Sequence, residues 1–356
     1  MRPNTLRLRS PADVVSAIPY LVGFHPTDSV VVLCCGGADG AYAIRLDLTA
    51  SDELLDHVTE LITRRRPADV ILAGYGPGAR VTPVVERVGD RLSRDGVRLR
   101  EVLRIEADRY WSYLCTDPAC CPPEGTFVDV RGSAVAAAAI AGGLVALPDR
   151  DELARMIAPA GGEAMREATV QAERRLTSWA EAAATDGDGA AGDAATDPGG
   201  AIPGAVSADA GAGGMARRVA EEGVRLVRLL IDRARAGGDP PTDEEVAWLG
   251  VLLVNLRVRD EAWVRIDDGE IGAHIRLWRD VVRRVADPYL AGPACLLAFA
   301  AWRAGEGALA NLALDRALAA DPHYSMARLL HELFVSGLPP WSVPLDITPE
   351  QLDEAS

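Results

Sequence analysis

Two hydrophobic periodicities divide this chain of 356 residues, and each dictates a different architecture. Over the first 130 residues short β-branched runs alternate with amphipathic stretches, a pattern that calls for an α/β layer fold with helices covering a sheet. From residue 215 to 335 apolar residues recur at helical spacing alone. The reading is an N-terminal α/β domain, a mixed sheet with flanking helices, followed by an all-α, helical-repeat-like domain.

Strands are expected over 5–9, 29–35, 41–48, 69–74 and 97–105. Ser10 reads as the N-cap of a helix over 11–22, with Pro11 at its first position and Asp13 where its charge meets free amides. Gly36-Gly37-Ala38-Asp39-Gly40 separates two strands too closely for a crossover, so it predicts a hairpin and makes the sheet mixed. Further helices are expected over 51–66, ended by Pro67, and over 81–94, ended near Gly96. The Ala-rich stretch 133–147, broken by Gly142-Gly143, reads as a packed helix. The domain plan is 1–148 for the α/β domain, 149–182 for a helical extension and 183–214 for a flexible linker. The helical domain then covers 215–338, and 339–356 is an extended tail. Between 183 and 214 the composition collapses to Ala, Gly, Asp, Thr and Pro, too little apolar area to offset ordering entropy. Helices are expected over 215–235, 242–257, 273–285, 291–304, 306–320 and 325–335, with Thr242-Asp243-Glu244-Glu245 as a capping box.

Charge narrows the function classes. The formal net charge is −15, with 17 Arg against 19 acids over 1–150 and 20 against 33 over 151–356. Such a balance gains little from counterion release on a phosphate backbone, which disfavours general nucleic-acid binding. All 37 basic residues are arginine. Without lysine the chain cannot build a Walker-type phosphate loop, a Schiff-base enzyme or a protein-kinase site, each of which needs an amine. No run of 18 apolar residues and no export signal is legible, so the expectation is a cytoplasmic protein with no membrane segment. Six cysteines in such a chain are expected to be reduced thiols or metal ligands.

Three of the six cysteines fall in one proline-rich loop, Trp111-Ser112-Tyr113-Leu114-Cys115-Thr116-Asp117-Pro118-Ala119-Cys120-Cys121-Pro122-Pro123-Glu124-Gly125. Cys115, Cys120 and Cys121 could ligate a metal, with zinc the candidate, act as redox or nucleophilic thiols, or pin the loop. One loop offers zinc three ligands at most, and adjacent cysteines rarely face the same ion. Asp117, Cys34 or Cys35 would then complete the set. Trp111, Tyr113 and Phe127 flank the loop and could stack on a planar ligand or serve the core. A second candidate is Gly74-Tyr75-Gly76-Pro77-Gly78, after a strand and before a helix, where Gly74, Gly76, Gly78 and Arg80 could meet an anion or simply turn tightly. It lacks the G-x-G-x-x-G order. If the strands are parallel, the Ser10 cap, Cys34-Cys35, this glycine loop and the cysteine loop gather at one sheet edge. His25 and Asp28 would lie at the opposite edge.

Two resemblances follow from particular residues. Ala301-Trp302-Arg303-Ala304-Gly305-Glu306-Gly307-Ala308-Leu309-Ala310, with Leu314, Ala317-Leu318 and Asp321-Pro322, resembles the second half of a tetratricopeptide repeat, where small residues let two helices approach closely. An ordinary helical hairpin has the same pattern. Ser10-Pro11-Ala12-Asp13, the run from Ile18-Pro19-Tyr20-Leu21-Val22-Gly23-Phe24 through His25-Pro26-Thr27-Asp28-Ser29, the loop 111–125 and the segment 301–322 resemble an actinobacterial family catalogued as domain of unknown function 4192. That resemblance implies a soluble protein with no assigned activity or cofactor. The expected function is ligand sensing or protein interaction without catalysis, the partner being another protein bound through the helical domain and possible ligands including a small molecule. The alternative is an enzyme acting on a small anionic or nucleotide-like substrate near the cysteine loop.

Overall fold

Ser10 opens the first helix, α1 (Pro11–Val22), by accepting the Asp13 amide on its side chain at 3.2 Å. The computed structural model describes residues 6–36, 40–189, 207–343 and 351–352. Asp13 in turn accepts the Arg9 amide at 2.8 Å. That bond commits the chain before α1 to a cap, and the strand expected over 5–9 is absent from its described residues 6–9. Leu6 and Leu8 pack into the core as side chains instead. Gly23, at φ +88°, ends α1.

The chain divides into two compact units, Met1–Arg155 and Met156–Ser356. In the first, β1 (Ser29–Cys35) and β2 (Tyr42–Asp47) form the expected hairpin, whose residues 37–39 lie outside the described ones. There follow α2 (Asp52–Arg65), β3 (Asp69–Tyr75), α3 (Gly78–Arg94), β4 (Leu99–Glu106), β5 (Arg109–Ser112), β6 (Thr126–Phe127), α4 (Ala134–Ala141) and α5 (Arg150–Arg155). The sheet order is β2-β1-β3-β4-β5-β6, and the β3–β4 pair, joined through α3, is parallel while the other pairs are antiparallel.

Alternation along each strand sorts side chains to two faces. On one, Val30, Val32, Leu72 and Val102 meet Leu55, Val58 and Ile62 of α2 and Val81, Val84, Val85, Val88 and Leu92 of α3. On the other, Val31, Leu33, Ile71, Leu103 and Ile105 meet Val14, Val15 and Ile18 of α1. Each such side chain removed from water stabilises the fold by about 1.5–3 kcal/mol before entropy is counted.

The second unit is helical throughout its regular elements: α6 (Glu163–Gly189), α7 (Ser207–Arg235), α8 (Asp243–Leu252), α9 (Leu256–Val264), α10 (Ile271–Arg284), α11 (Ala291–Arg303), α12 (Gly307–Ala320) and α13 (Ser325–Val335). Trp179 of α6 meets Trp248 of α8 edge to face, ring centres 5.2 Å apart. The capping box at Thr242 and Glu245 is formed as expected. The single helix expected over 242–257 is two, because Asn255 caps the Arg257 amide at 2.9 Å and starts α9 afresh. Gly305, at φ +79°, turns α11 into α12 as a helical hairpin.

Three boundaries differ from the expected plan. The first unit keeps α5 and ends at Arg155 rather than 148. Residues 183–189 and 207–214, expected as flexible linker, continue α6 and α7, where alanine favours helix; residues 190–206 lie outside the described ones. Of the expected extended tail, Pro340–Ser342 forms a short 3-10 turn, 351–352 are helical, and 344–350 and 353–356 lie outside the described residues. Among the described residues no helix is long and apolar enough to cross a membrane.

Candidate functional site

The β4–β5 turn, with Ala107 at φ +54°, sends the chain back antiparallel to β4, so the cysteine loop leaves the sheet alongside the middle of β4. Ser112 organises its start. Its hydroxyl donates to Glu101 Oε1 at 2.6 Å and accepts the amides of Leu114 and Cys115, each at 3.2 Å. Asp117 organises the rest. Its carbonyl accepts the amides of Cys120 at 3.1 Å and Cys121 at 2.7 Å, closing one helical turn, and its carboxylate accepts the Ala119 amide at 2.9 Å.

That turn brings the sulfurs together. The Sγ atoms of Cys115, Cys120 and Cys121 lie within 4.8 Å of one another, Cys115 and Cys121 half-buried and Cys120 exposed. A backbone hydrogen bond from Asp117, then thiol donation from Cys121 and Cys120, holds the Cys115 thiol below its ordinary range. Cys121, the donor to Cys115, is pushed up. Asp117 therefore shapes the loop with its backbone and carboxylate, and the converging set consists of the three cysteines.

Aromatic residues strap the loop to the sheet. Trp111 donates its indole N–H to Pro123 O at 2.9 Å and carries the Arg104 guanidinium 3.7 Å from its ring centre. Gly125, at φ +82°, lies so close to the same ring that an added Cβ would stand 2.5 Å from Cε2. Arg109 ties the far end by donating to Gly125 O at 2.7 Å. The Tyr113 hydroxyl pairs with Thr82 of α3 at 2.6 Å. Trp111, packed against Arg104 and Gly125, straps the loop to β4. Tyr113 and Phe127 remain exposed.

The glycine loop has a different surrounding from the one expected. Because β1 runs antiparallel to β3, Ser29 pairs with Tyr75 and Cys35 with Asp69. Cys34 and Cys35 therefore stand at the edge opposite the glycine loop, and Asp28 stands beside it. Arg80 Nη1 donates to Asp28 Oδ1 at 2.6 Å. A Cβ at Gly74 would overlap Val81 of α3, and one at Gly78 would overlap the Arg104 guanidinium. These two glycines serve close packing. Cys34 is fully buried, and burial pushes its thiol up to about 11.

A family model described as Domain of unknown function (DUF4192) matches residues 11–341. The chain belongs to that family. The matched span takes in the cysteine loop, the glycine loop and helices through α13. No curated protein and no solved structure matches the chain.

Arg104, Ser112, Glu101 and Thr82, which hold the site of this family member in shape, were not singled out by the sequence. Arg104 was in principle legible, since strand alternation puts it on the same face as Val102 and toward α3. The others act through pairings between elements that a linear pattern does not carry. His25 stays apart from the cysteines; burial, then Arg131, pulls its imidazole below its ordinary value.

Proposed function

We propose that this chain is a ligand-sensing protein without catalysis of its own, in which the cysteine loop is the sensing element. One observation carries the reading: three thiols converge within 4.8 Å on a loop held by one helical turn. Tyr113 to Thr82 and Trp111 to Arg104 link that loop to α3 and β4, so a ligand that tightens it is felt by the sheet. The output we assign is a contact with another protein through the helical unit, whose α11–α12 hairpin has tetratricopeptide-like small-residue spacing. The cytoplasm, where thiols stay reduced, suits such a site.

Catalysis on an anionic or nucleotide-like substrate has less support. Arg80 is already engaged by Asp28, and Arg104 fills the space at Gly78. A cysteine nucleophile would also need a neighbouring base, and the converging set contains thiols alone. The test is thermal melting of the full chain with and without ligands of the loop thiols, alongside a turnover screen on phosphometabolites and nucleotides. The reading expects a raised melting temperature with the three thiols protected from alkylation. Turnover abolished by Cys120→Ser would sink it.

A further inference from the structure

Three thiolates on one ion require a definite spacing. With metal–sulfur bonds of about 2.3 Å, tetrahedral angles put the sulfurs roughly 3.8 Å apart. The sulfurs of Cys115, Cys120 and Cys121 already lie within 4.8 Å of one another, so closure onto an ion asks for about 1 Å of adjustment, within the reach of χ1 rotation. Adjacent cysteines on extended backbone point to opposite faces. Here Cys120 and Cys121 lie on the helical turn closed by the Asp117 carbonyl, where neighbours project roughly 100° apart, and that turn lets both reach toward Cys115.

The remaining coordination position is the informative one. Among the described histidine, cysteine and acidic residues, the group that converges here consists of the three cysteines. Asp117, the nearest carboxylate in sequence, spends its Oδ1 on the Ala119 amide. Cys120 is exposed, so solvent reaches the cluster. Zinc sites closed by four protein ligands are structural, whereas three-ligand sites keep an exchangeable position.

We infer that Cys115, Cys120 and Cys121 hold one zinc-class divalent ion as a three-thiolate centre, with its fourth position open to an exogenous donor such as water or a small thiol. The inference rests on the sensing reading and names its ligand chemistry. Loading exchanges three thiol protons, released to solvent, for the ion, with no change of oxidation state. A small thiol replaces water at the fourth position and likewise gives its proton to solvent.

Cobalt(II) titrated into the reduced full-length protein reads this directly. One equivalent is expected, with sulfur-to-cobalt charge transfer of three-thiolate intensity and tetrahedral d–d bands that shift when 2-mercaptoethanol is added. Cys115→Ser, Cys120→Ser and Cys121→Ser should each weaken cobalt binding by more than the roughly 10–100-fold that loss of a ligand-orienting partner costs. Cys35→Ser, at the other sheet edge, should leave it unchanged. Circular dichroism of each variant establishes that the chain is folded, and an unfolded variant is replaced by Cys→Ala at the same position. No cobalt binding, binding that survives Cys120→Ser in a folded chain, or d–d bands indifferent to 2-mercaptoethanol would overturn the inference. Should cobalt and zinc fail while alkylation of the loop thiols still shifts the melting temperature, the metal inference falls and the sensing reading stands. Metal bound with the three thiols protected, but with a turnover that Cys120→Ser abolishes, would bring down the sensing reading alone.

Discussion

At the scale of single residues, two buried groups in the helical unit set how its stability responds to mutation and to acid. Glu261 is wholly buried; burial alone would push its carboxyl up, but Arg228, Arg257 and Arg265 outweigh it and hold the group at about 2. The three guanidiniums reach it at 2.6, 2.8 and 2.5 Å. Glu261→Gln leaves them facing a neutral partner and should lower stability by about 3 kcal/mol, read by denaturant unfolding. Glu163→Gln, whose side chain is 92% exposed, should change it little. His274 is 1% exposed, and its imidazole is held at about 4, first by burial and then by Arg235, with Asp267 at 3.9 Å opposing. Between pH about 6.5 and about 4 the unfolded chain takes a proton that the folded chain refuses. This group's contribution is therefore complete above 6.5 and falls with acid across that window, by up to about 3 kcal/mol. His274→Gln should flatten the stability profile over the same range; an unchanged slope would show that other groups govern it.

At the scale of elements, the loop 111–125 depends on one contact more than on its own sequence. Gly125 and Gly143 share nearly the same backbone, φ +82° and +83°, but a Cβ at Gly125 strikes Trp111 and one at Gly143 meets nothing within 4 Å. Gly143→Ala should cost about 1 kcal/mol for the left-handed backbone alone. Gly125→Ala should cost that plus about 1–3 kcal/mol of overpacking, and should also speed alkylation of Cys115 and Cys121. Equal losses in the two variants would remove Trp111 from its role as a strap. Much of this level was legible beforehand. Apolar runs and periodicity placed β1, β3 and α10 to α13, and cap residues placed α1, because each buries apolar side chains that the sequence displays; α9, begun by the Asn255 cap inside an expected helix, was not placed. Strand direction was not legible: β1 antiparallel to β3 moved Cys34 and Cys35 to one edge and Asp28 to the other. The two-residue β6 and the four-residue β5 are too short to show a period, and the turn at Asp117 depends on bonds from amides three and four residues on.

At the scale of the whole molecule, the break after Arg155 separates a sheet unit with core clusters on both faces from a helical unit. Residues 1–155 expressed alone should melt cooperatively and keep the cysteine site, because among the described residues the bonds that shape the loop come from β4, β5, α3 and the loop itself. A non-cooperative melt would show that the sheet unit needs the remainder of the chain. The central claim is that the three loop sulfurs share one ion, and sulfur counting at the metal tests it most directly. X-ray absorption at the zinc edge of reduced, zinc-loaded full-length protein should give three sulfur scatterers at about 2.3 Å and one lighter neighbour. A shell built only of oxygen and nitrogen, or one that keeps three sulfurs in Cys120→Ser, would contradict the account.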